Sequence, residues 1–377
     1  MKNSNGMKVL SISTDRKLFE EGSAVLERSK DYASKMEKLH IIVFSLKSHN
    51  LKFKEEGNLY IYPTNSLSRW FYVMDAVKIG KSILNKSFVI STQDPFETGL
   101  VGYKLKKKFN LPLQIQIHTD FLSPYFRNSF LNYIRVFISK FTIPKADYVR
   151  VVSSSVEDSL RKISTKVKIQ ILPVFVDIPR IMNFQPKKDI KKDFPQFKFS
   201  IFMASRLTKE KRIDTALKAF RKVVDVHTEA GLIISGSGKE EGNLKSLVKS
   251  LGLTKNVIFT GWNDGLISYY KTADIFLLTS QYEGYGMTLV EAGASGCPIV
   301  TTKVGLAKTD LFKNGANSFV CSVWDVNCLS ESILKLISNP NLRLLFKTKM
   351  QDSIRNTTIS KEEYVTKYVS LLQDLLK

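Results

Sequence analysis

Short apolar runs alternate with longer segments of helical periodicity along the whole chain. Runs of strand length bounded by turn residues predict β-strands, and apolar residues spaced three or four apart predict helices. In the first half, strands are predicted at residues 8–14, 39–46, 87–92, 113–119 and 147–153, with a helix from about Ser23 to Lys38. Strands that alternate with helices in this way form parallel sheets.

The alternation lapses between residues 173 and 197 and then restarts. The interruption contains four prolines and a basic cluster, which is typical of a linker. Beyond it, strands are predicted at 199–205, 230–236, 256–261, 274–280 and 297–302, and helices at about 211–226, 240–251, 288–295 and 326–338. We therefore predict two α/β domains, at residues 1–180 and 198–360, a linker at 181–197 and a final amphipathic helix at 361–377.

Two successive open α/β domains would enclose a cleft between them. Ligands of such sheets bind beyond the carboxyl ends of the strands. The chemistry is therefore expected in loops that follow strands.

Composition places the chain among globular proteins. It has 377 residues, 43% of them hydrophobic and 24% charged, and no apolar stretch reaches the roughly 18 residues of a membrane span. The N-terminus shows no secretory signal. Cys297, Cys321 and Cys328 are odd in number and lack metal-ligand spacing, which indicates a reducing compartment without a disulfide framework. A cytoplasmic location is predicted.

The formal charge of +22 indicates an anionic partner, and the excess of basic residues is larger in the first half. A nucleic-acid-binding protein would carry a helix-turn-helix, zinc or RNP-like element, and none is found, so no nucleic acid is expected. A host with a basic proteome is the alternative. The aromatic, basic segment 121–145 and the cluster at 104–109 would let the first domain dock peripherally on the inner face of the plasma membrane. A buried helix with a solvated charged face would have the same sequence.

Two loops that follow strands in the second half carry cations or glycines. In "ASRLTKEKR" (204–212), Arg206 and Lys211 would suit a diphosphate, with Lys211 opening a helix, although both residues would also serve as solvated helix-entry charges. In "IISGSGKEEG" (233–242), Gly236 and Gly238 would allow close approach of a ligand or only a tight turn.

A third loop, "EGYGMTLVEAGASG" (283–296), holds two glutamates and glycines before a predicted helix. The helix start near Thr288 would suit a phosphate. Glu291 has two interpretations, because "TLVE" fits a capping box as well as a ligand contact. Cations and helix-start amides would hold phosphates, and carboxylates would accept hydrogen bonds from sugar hydroxyls. Together they indicate a nucleotide sugar.

These loops resemble glycosyltransferase family 4, the retaining, sugar-nucleotide-dependent enzymes with the GT-B fold. The resemblance rests on "SRLTKEK", "GSG", "NVIFTGW", "SQYEGYGMTLVEAGASGCPIV" and "NGANSFV", in the family's order. It implies two Rossmann-like, doubly wound domains facing a central cleft, with the C-terminal helix crossing back to the N-terminal domain. It implies transfer of a sugar, of hexosyl type, from a UDP- or GDP-sugar to a glycan or lipid-linked acceptor, in glycolipid or cell-surface polysaccharide synthesis.

The resemblance also implies residue roles. Arg206 and Lys211 would bind the donor diphosphate, Glu283 the transferred sugar and Glu291 the ribose, and His118 would lie near the reacting sugar. The implied donor site comprises Arg206, Lys211, Gly236, Gly238, Glu283, Gly284, Tyr285, Gly286, Met287, Thr288 and Glu291, and the acceptor side comprises Gly22, Asp94, His118 and Asp120. His118, Glu283, Arg206 and Lys211 would be the catalytic residues.

The chain departs from the family pattern at several points, and other functions stay open. The first strand-to-helix loop has only Gly22 where a glycine pair is common, and residues 303–311 lack a second glycine and an acid. No Asp-x-Asp motif is present, so neither a metal nor another cofactor is expected. The alternatives are a nucleotide-sugar epimerase or a phosphorylase of the same fold, and an inactive protein that only binds sugar nucleotides.

Overall fold

A computed structural model describes residues 6–127, 129–163, 166–263 and 265–376. The chain divides into two compact units. Unit 1 runs to Pro173 and includes the chain from Ile359 onward, and unit 2 is Val174–Thr358. Each unit is an α/β structure built on one sheet, so the predicted fold class, two doubly wound α/β domains, is confirmed.

The sheet of unit 1 is parallel except for one antiparallel strand, β3, at its edge. Its order among the described residues is β3-β4-β2-β1-β5-β6-β7-β8. The strands are β1 (Lys8–Ser13), β2 (Lys38–Val43), β3 (Lys54–Glu56), β4 (Leu59–Pro63), β5 (Phe88–Thr92), β6 (Leu113–Ile117), β7 (Tyr148–Val151) and β8 (Lys168–Ile171). The order reverses direction between β1 and β5, so loops after these two strands meet at a topological switch point.

Helices cover the sheet of unit 1. They are α1 (Ala24–Ala33), α2 (Tyr72–Ile83), α3 (Glu97–Phe109), α4 (Phe130–Thr142) and α5 (Ser154–Arg161), together with the C-terminal α14 (Lys361–Gln373). Helix α14 belongs to unit 1, where Tyr368 stacks on Tyr32 with ring centroids 4.1 Å apart. Burial of its Tyr364, Val365, Val369 and Leu372 explains why the last segment reads as amphipathic.

The sheet of unit 2 has the described order β11-β10-β9-β12-β13-β14 and is parallel. Its strands are β9 (Phe199–Ala204), β10 (Ala230–Ser235), β11 (Val257–Gly261), β12 (Ile275–Leu278), β13 (Ile299–Thr302) and β14 (Phe319–Cys321). Numbered within the unit this is 3-2-1-4-5-6, the doubly wound order of dinucleotide-binding folds, with its switch point between β9 and β12.

Alternate residues of the central strand β9 enter two separate cores, one on each face of the sheet of unit 2. Ile201 and Met203 point into one core, and Phe202 and Ala204 point into the other. The helices that cover the two faces are α6 (Ile178–Asn183), α7 (Ile190–Asp193), α8 (Ile213–Val224), α9 (Glu241–Ser250), α10 (Leu266–Thr272), α11 (Met287–Ala294), α12 (Val326–Ser338) and α13 (Pro340–Arg355).

Two features of the structure differ from the sequence predictions. Residues 181–197, predicted as a linker, contain part of α6 and the whole of α7, and Ile181, Ile190 and Phe197 are buried in a core of unit 2. The prolines mislead here because α6 accepts Pro179 in its first turn. Cys321 and Cys328 form a disulfide, so the expectation of free thiols fails for this pair, while Cys297 is free and buried.

Candidate functional site

Two of the predicted site residues follow the strands at the switch point of unit 2. Lys211 comes after β9 and Glu283 after β12, and these strands are neighbours in the sheet. The Lys211 ammonium donates to Glu283 Oε1 at 2.5 Å, and the Ser280 hydroxyl donates to the same oxygen at 2.7 Å. The Lys211 and Glu283 side chains expose only 14% and 15% of their surface. The structure thus brings a partly buried cation and a carboxylate together at the edge where ligands bind.

The backbone around Lys211 differs from the prediction that this residue opens a helix. Lys209–Lys211 form one turn of 3-10 helix, and α8 begins at Ile213 after Arg212, which is left-handed with φ of 49°. The Thr279 hydroxyl donates to the carbonyls of Lys211 and Arg212, at 3.0 and 2.9 Å. Lys211 is therefore positioned by hydrogen bonding to the end of β12.

Arg206 lies in the same loop but is far more exposed. Its guanidinium makes an i,i+4 ion pair with Glu210 at 3.3 Å, and its side chain is 68% exposed. Such a pair contributes little to stability. The guanidinium of Arg206 can therefore leave Glu210 and bind another anion at little cost in free energy.

Gly236 and Gly238 bring two loops into backbone contact. A Cβ at Gly236 would lie 1.9 Å from the carbonyl oxygen of Ser205, and a Cβ at Gly238 would lie 2.3 Å from that of Leu207. The Leu207 amide donates to the carbonyl of Ser237 at 2.9 Å. The glycines therefore determine where the loop that carries Arg206 lies.

Replacing Gly238 by alanine is expected to displace this loop, because the new methyl group would overlap a backbone atom. We expect a loss of thermal stability and of nucleotide affinity, both measured by thermal shift with and without UDP or GDP. Gly242→Ala is the matched control, since a Cβ there has nothing within 4 Å and lies in α9. That variant should be neutral or more stable by up to about 1 kcal/mol. Equal behaviour of the two variants would contradict the packing role of Gly238.

The glycine loop of residues 283–291 leads directly into α11. Gly286, with φ of 91°, is the residue before the helix, and Met287 begins it. Gly284 and Gly286 are buried, and Met287 is 41% exposed at the helix start. The first-turn amides of Met287 and Thr288 have no carbonyl within the helix to bond, an arrangement that suits an anion.

The residue at which α11 starts tests the capping-box interpretation of Glu291. Because the helix is capped by Gly286, with no side-chain cap bond, Thr288 is not an N-cap, and the capping-box interpretation is wrong. Instead the Tyr270 hydroxyl donates to Glu291 Oε2 at 3.4 Å. Burial raises the pKa of the Glu291 carboxyl, and the Tyr270 hydrogen bond opposes that rise.

Sequence reasoning missed several residues that hold this loop. The Thr302 hydroxyl donates to the Ser280 carbonyl at 2.6 Å, and the Leu306 amide donates to the carbonyl of Tyr285 at 2.9 Å. A Cβ at Gly305 would lie 2.6 Å from that same carbonyl, and Gly305 has φ of 51°. The sequence does place Thr or Ser repeatedly at the ends of strands. That pattern identifies residues that hold this loop only once the order of the strands in the sheet is known.

In unit 1, Gly22 and Asp94 follow the two strands at that unit's switch point, β1 and β5. Gly22 lies in an exposed turn before α1 with φ of 70°. The Asp94 carboxylate accepts the Phe96 amide at 2.8 Å. Burial, and then the charge of Glu97, raises the pKa of Asp94 to about 6 despite that bond.

His118 and Asp120 follow β6. Asp120 is buried, with 5% of its surface exposed, whereas His118 presents exposed surface. Desolvation by the surrounding protein lowers the pKa of the imidazole, and the charges of Arg150 and Arg28 lower it further. The imidazole of His118 is therefore neutral at pH 7.

Comparison with known proteins shows which family unit 2 is similar to. Residues 184–353 match the family described as Glycosyl transferases group 1. This match covers nearly all of unit 2 and confirms the resemblance to the group 1 glycosyltransferases noted in the sequence.

Two curated relatives are similar to the chain over part of their length. One is N-acetyl-alpha-D-glucosaminyl L-malate synthase of Bacillus anthracis, 26% identical over 63% of this chain and 62% of that protein. The other is alpha-monoglucosyldiacylglycerol synthase of Streptococcus pneumoniae, 27% identical over 56% of this chain and 51% of that protein. The alignments thus span less than two thirds of these relatives.

Solved structures share the fold over nearly the whole chain. Sucrose-phosphate synthase from Thermosynechococcus elongatus superposes with a TM-score of 0.82 at 18% identity, covering 98% of this chain and 99% of that one. Anabaena Alr3699/HepE in complex with UDP-glucose gives 0.76 at 18% identity, covering 98% of this chain and 100% of that one. The GT-B fold class is confirmed.

Proposed function

We propose that the protein is a retaining glycosyltransferase of hexosyl type that moves a sugar from a UDP- or GDP-sugar to an acceptor hydroxyl. The observation that carries the proposal is the Lys211–Glu283 pair, 2.5 Å apart at the switch point of unit 2, with Glu283 in the loop that leads into α11. A cation and helix-start amides suit a diphosphate, and a carboxylate suits the hydroxyls of a sugar.

The proposed chemistry is cleavage of the bond between the anomeric carbon and the β-phosphate oxygen. Negative charge grows on the departing diphosphate, and Lys211, Arg206 and the amides of Met287 and Thr288 would stabilise it. Preorganised donors of this kind are worth about 3–4 kcal/mol each in other enzymes. The acceptor hydroxyl oxygen forms the new bond to the anomeric carbon, and its proton passes to the departing diphosphate. We propose that no metal is needed, because the cations for the diphosphate come from the chain itself.

The two glutamates would contact opposite ends of the donor. Glu283 already accepts two hydrogen bonds on Oε1, which leaves Oε2 for a hydroxyl of the transferred sugar. The Glu291 carboxylate accepts a hydrogen bond from the Tyr270 hydroxyl and would accept another from a ribose hydroxyl. The Anabaena protein bound to UDP-glucose supports a nucleotide sugar as the donor class.

We propose a membrane-associated acceptor, because α4 exposes an aromatic face. Phe130, Tyr133 and Phe137 are 81%, 58% and 76% exposed and recur at helical spacing, whereas Val136, Ser139 and Thr142 on the other side are buried. The solvent-facing side of α4 thus presents aromatic rings as well as charges, which supports this proposal. Lys140 is exposed beside these rings, as an anionic bilayer surface requires. No described helix is long and apolar enough to cross a membrane.

A second exposed apolar segment spans the start of α2, and the sequence reasoning missed it. Leu67, Trp70 and Met74 are 80%, 91% and 58% exposed. Exposed apolar residues this large and this close together indicate a contact surface. Glycolipid synthesis, the activity named for the Streptococcus relative, supports a lipid-linked acceptor in a proposed role in glycolipid or cell-surface polysaccharide assembly.

The double variant Phe130→Ser, Phe137→Ser is expected to lose most of its binding to vesicles containing phosphatidylglycerol. Each ring removed from the interface forfeits apolar burial of roughly 2 kcal/mol, so the partition coefficient should fall at least tenfold in co-sedimentation. Leu344→Ser is the control, because Leu344 is 62% exposed but lies in α13 of unit 2. Equal binding by wild type and the double variant would exclude α4 as the lipid contact.

The function itself is tested by nucleotide release from a panel of UDP-, GDP- and ADP-sugars, with and without diacylglycerol, lipid-linked and free sugar acceptors, in EDTA and with added Mg²⁺. We expect release to require an acceptor, to persist in EDTA and to give a product of the donor's anomeric configuration by NMR. Binding without turnover would identify an inactive sugar-nucleotide-binding protein. Conversion of the donor sugar without an acceptor would identify an epimerase.

A further inference from the structure

A tryptophan and an arginine from two different loops stack next to Lys211. The guanidinium carbon of Arg212 lies 3.6 Å from the ring centroid of Trp324. Arg212 also pairs with Asp214 in the first turn of α8. A guanidinium this close to an indole face is a cation–π contact.

Both stacked residues have left-handed backbones. Arg212 has φ of 49° and Trp324 has φ of 75°, among five non-glycine residues with positive φ in the described chain. For a bulky residue this conformation costs about 1–2 kcal/mol, and glycine would avoid the cost. A tryptophan held at such a position indicates that its ring is needed there.

The turn at Arg212 determines the position of Lys211. Arg212 is the residue at which the chain leaves the 3-10 turn Lys209–Lys211 and enters α8. If Arg212 relaxed to a right-handed conformation, the peptide between Lys211 and Arg212 would rotate. That rotation would move the carbonyls that Thr279 holds, and with them the Lys211 ammonium that contacts Glu283.

The loop that carries Trp324 is closed at both ends. The disulfide joins Cys321 at the end of β14 to Cys328 in the first turn of α12, and Trp324 lies between them. The Asp325 carboxylate caps α12 by accepting the Cys328 amide at 2.9 Å. Trp324 is therefore presented to Arg212 by a short loop with little freedom to rearrange.

We infer that Trp324 is a positioning residue: through its stack on Arg212, within the loop closed by Cys321 and Cys328, it holds Lys211 in the orientation that receives the donor diphosphate. The inference rests on the proposed function for the identity of the ligand. The mechanical coupling between Trp324 and Lys211 does not depend on it.

The test compares Trp324→Gly with Trp324→Phe. Glycine removes the ring but accepts the left-handed backbone, so it should keep or raise the melting temperature, whereas phenylalanine keeps an aromatic face for Arg212. Two readouts are needed: amide hydrogen exchange over residues 209–214 without nucleotide, and the Kd for UDP and GDP by calorimetry.

For Trp324→Gly we expect faster exchange at 209–214 and a Kd weakened about fivefold or more, with Trp324→Phe within twofold of wild type. Unchanged exchange and an unchanged Kd in Trp324→Gly would overturn the inference. A wild type that binds neither UDP nor GDP would overturn the proposed function, and the exchange data would still decide the coupling.

Reduction with dithiothreitol measures how much the Cys321–Cys328 disulfide contributes to holding Lys211 in position. Thiol–disulfide exchange converts the Cys321–Cys328 bond to two thiols and the reagent to its cyclic disulfide. Reduction should shift exchange and Kd of the wild type in the same direction as Trp324→Gly. The variant with Cys321→Ser and Cys328→Ser should not respond to the reagent. No change on reduction would show that the stack acts without the disulfide.

Discussion

Replacing Lys211 by alanine is expected to lower kcat/KM for the nucleotide-sugar donor by about 100-fold or more. The physical reason is the loss of a cation that is 14% exposed and fixed by Glu283 and the carbonyl bonds of Thr279. Charge that develops on the leaving diphosphate would then be stabilised by fewer preorganised donors. The change is measured by steady-state nucleotide release, with circular dichroism to verify the fold.

Lys209→Ala is the matched control for this prediction. Lys209 lies in the same 3-10 turn and has the same charge, but it is exposed. If net charge alone attracted the donor, both alanine variants would lose similar activity, and the assignment of Lys211 would be wrong.

The partner residue allows a second check. Glu283→Gln keeps the size of the side chain and removes its charge, so it should reduce turnover by about tenfold or more. Because Lys211 and Glu283 are in contact, the double variant should lose less than the sum of the single losses. Strict additivity would mean that the two side chains act independently.

Replacing Arg150 by methionine is expected to destabilise unit 1 by about 3 kcal/mol. Arg150 is 4% exposed, and its guanidinium donates to Gln116 Oε1 at 2.7 Å and to the Tyr364 hydroxyl oxygen at 2.8 Å. It also donates to the carbonyls of Leu172 and Pro173, at 3.2 and 3.3 Å. Methionine has a similar length but no donor, so each of these acceptors would lose the guanidinium hydrogen bond.

These hydrogen bonds of Arg150, called here the Arg150 network, connect residues 172–173, where the first segment of unit 1 ends, to the C-terminal helix α14. Tyr364 and Tyr368 belong to α14, and the Tyr364 hydroxyl also donates to the Pro173 carbonyl at 2.9 Å. Arg150→Met should therefore lower the melting temperature and speed hydrogen exchange across α14. Both quantities are measured on the full chain.

Two controls bracket the Arg150 result. Tyr364→Phe removes one hydroxyl and should cost about 1 kcal/mol. Arg161→Met removes an arginine with 41% of its side chain exposed and should leave the melting temperature nearly unchanged. If α14 exchanged its amide hydrogens in Arg150→Met as slowly as in the wild type, the hydrogen bonds of Arg150 would not be what holds this helix.

The strands of both sheets were predictable where their sequence is continuously apolar. β10, for example, has six buried residues, and its prediction at 230–236 agrees with the observed Ala230–Ser235. The short strands β3, β4, β8 and β14 were missed. β3 and β8 are edge strands whose residues are partly exposed, so they lack the apolar signal that periodicity detects.

Local sequence determined the alternation of strands and helices, the glycine turn before α11 and the residue types of the candidate site, because each depends on periodicity or on the conformational freedom of one residue. The tertiary structure decided which loops meet. Lys211 and Glu283 become neighbours only because β9 and β12 pair at the switch point. It also excluded the capping-box interpretation of Glu291, because the helix starts one residue before Thr288. The Trp324–Arg212 stack and the Arg150 network join residues more than a hundred positions apart, and no local pattern encodes such contacts.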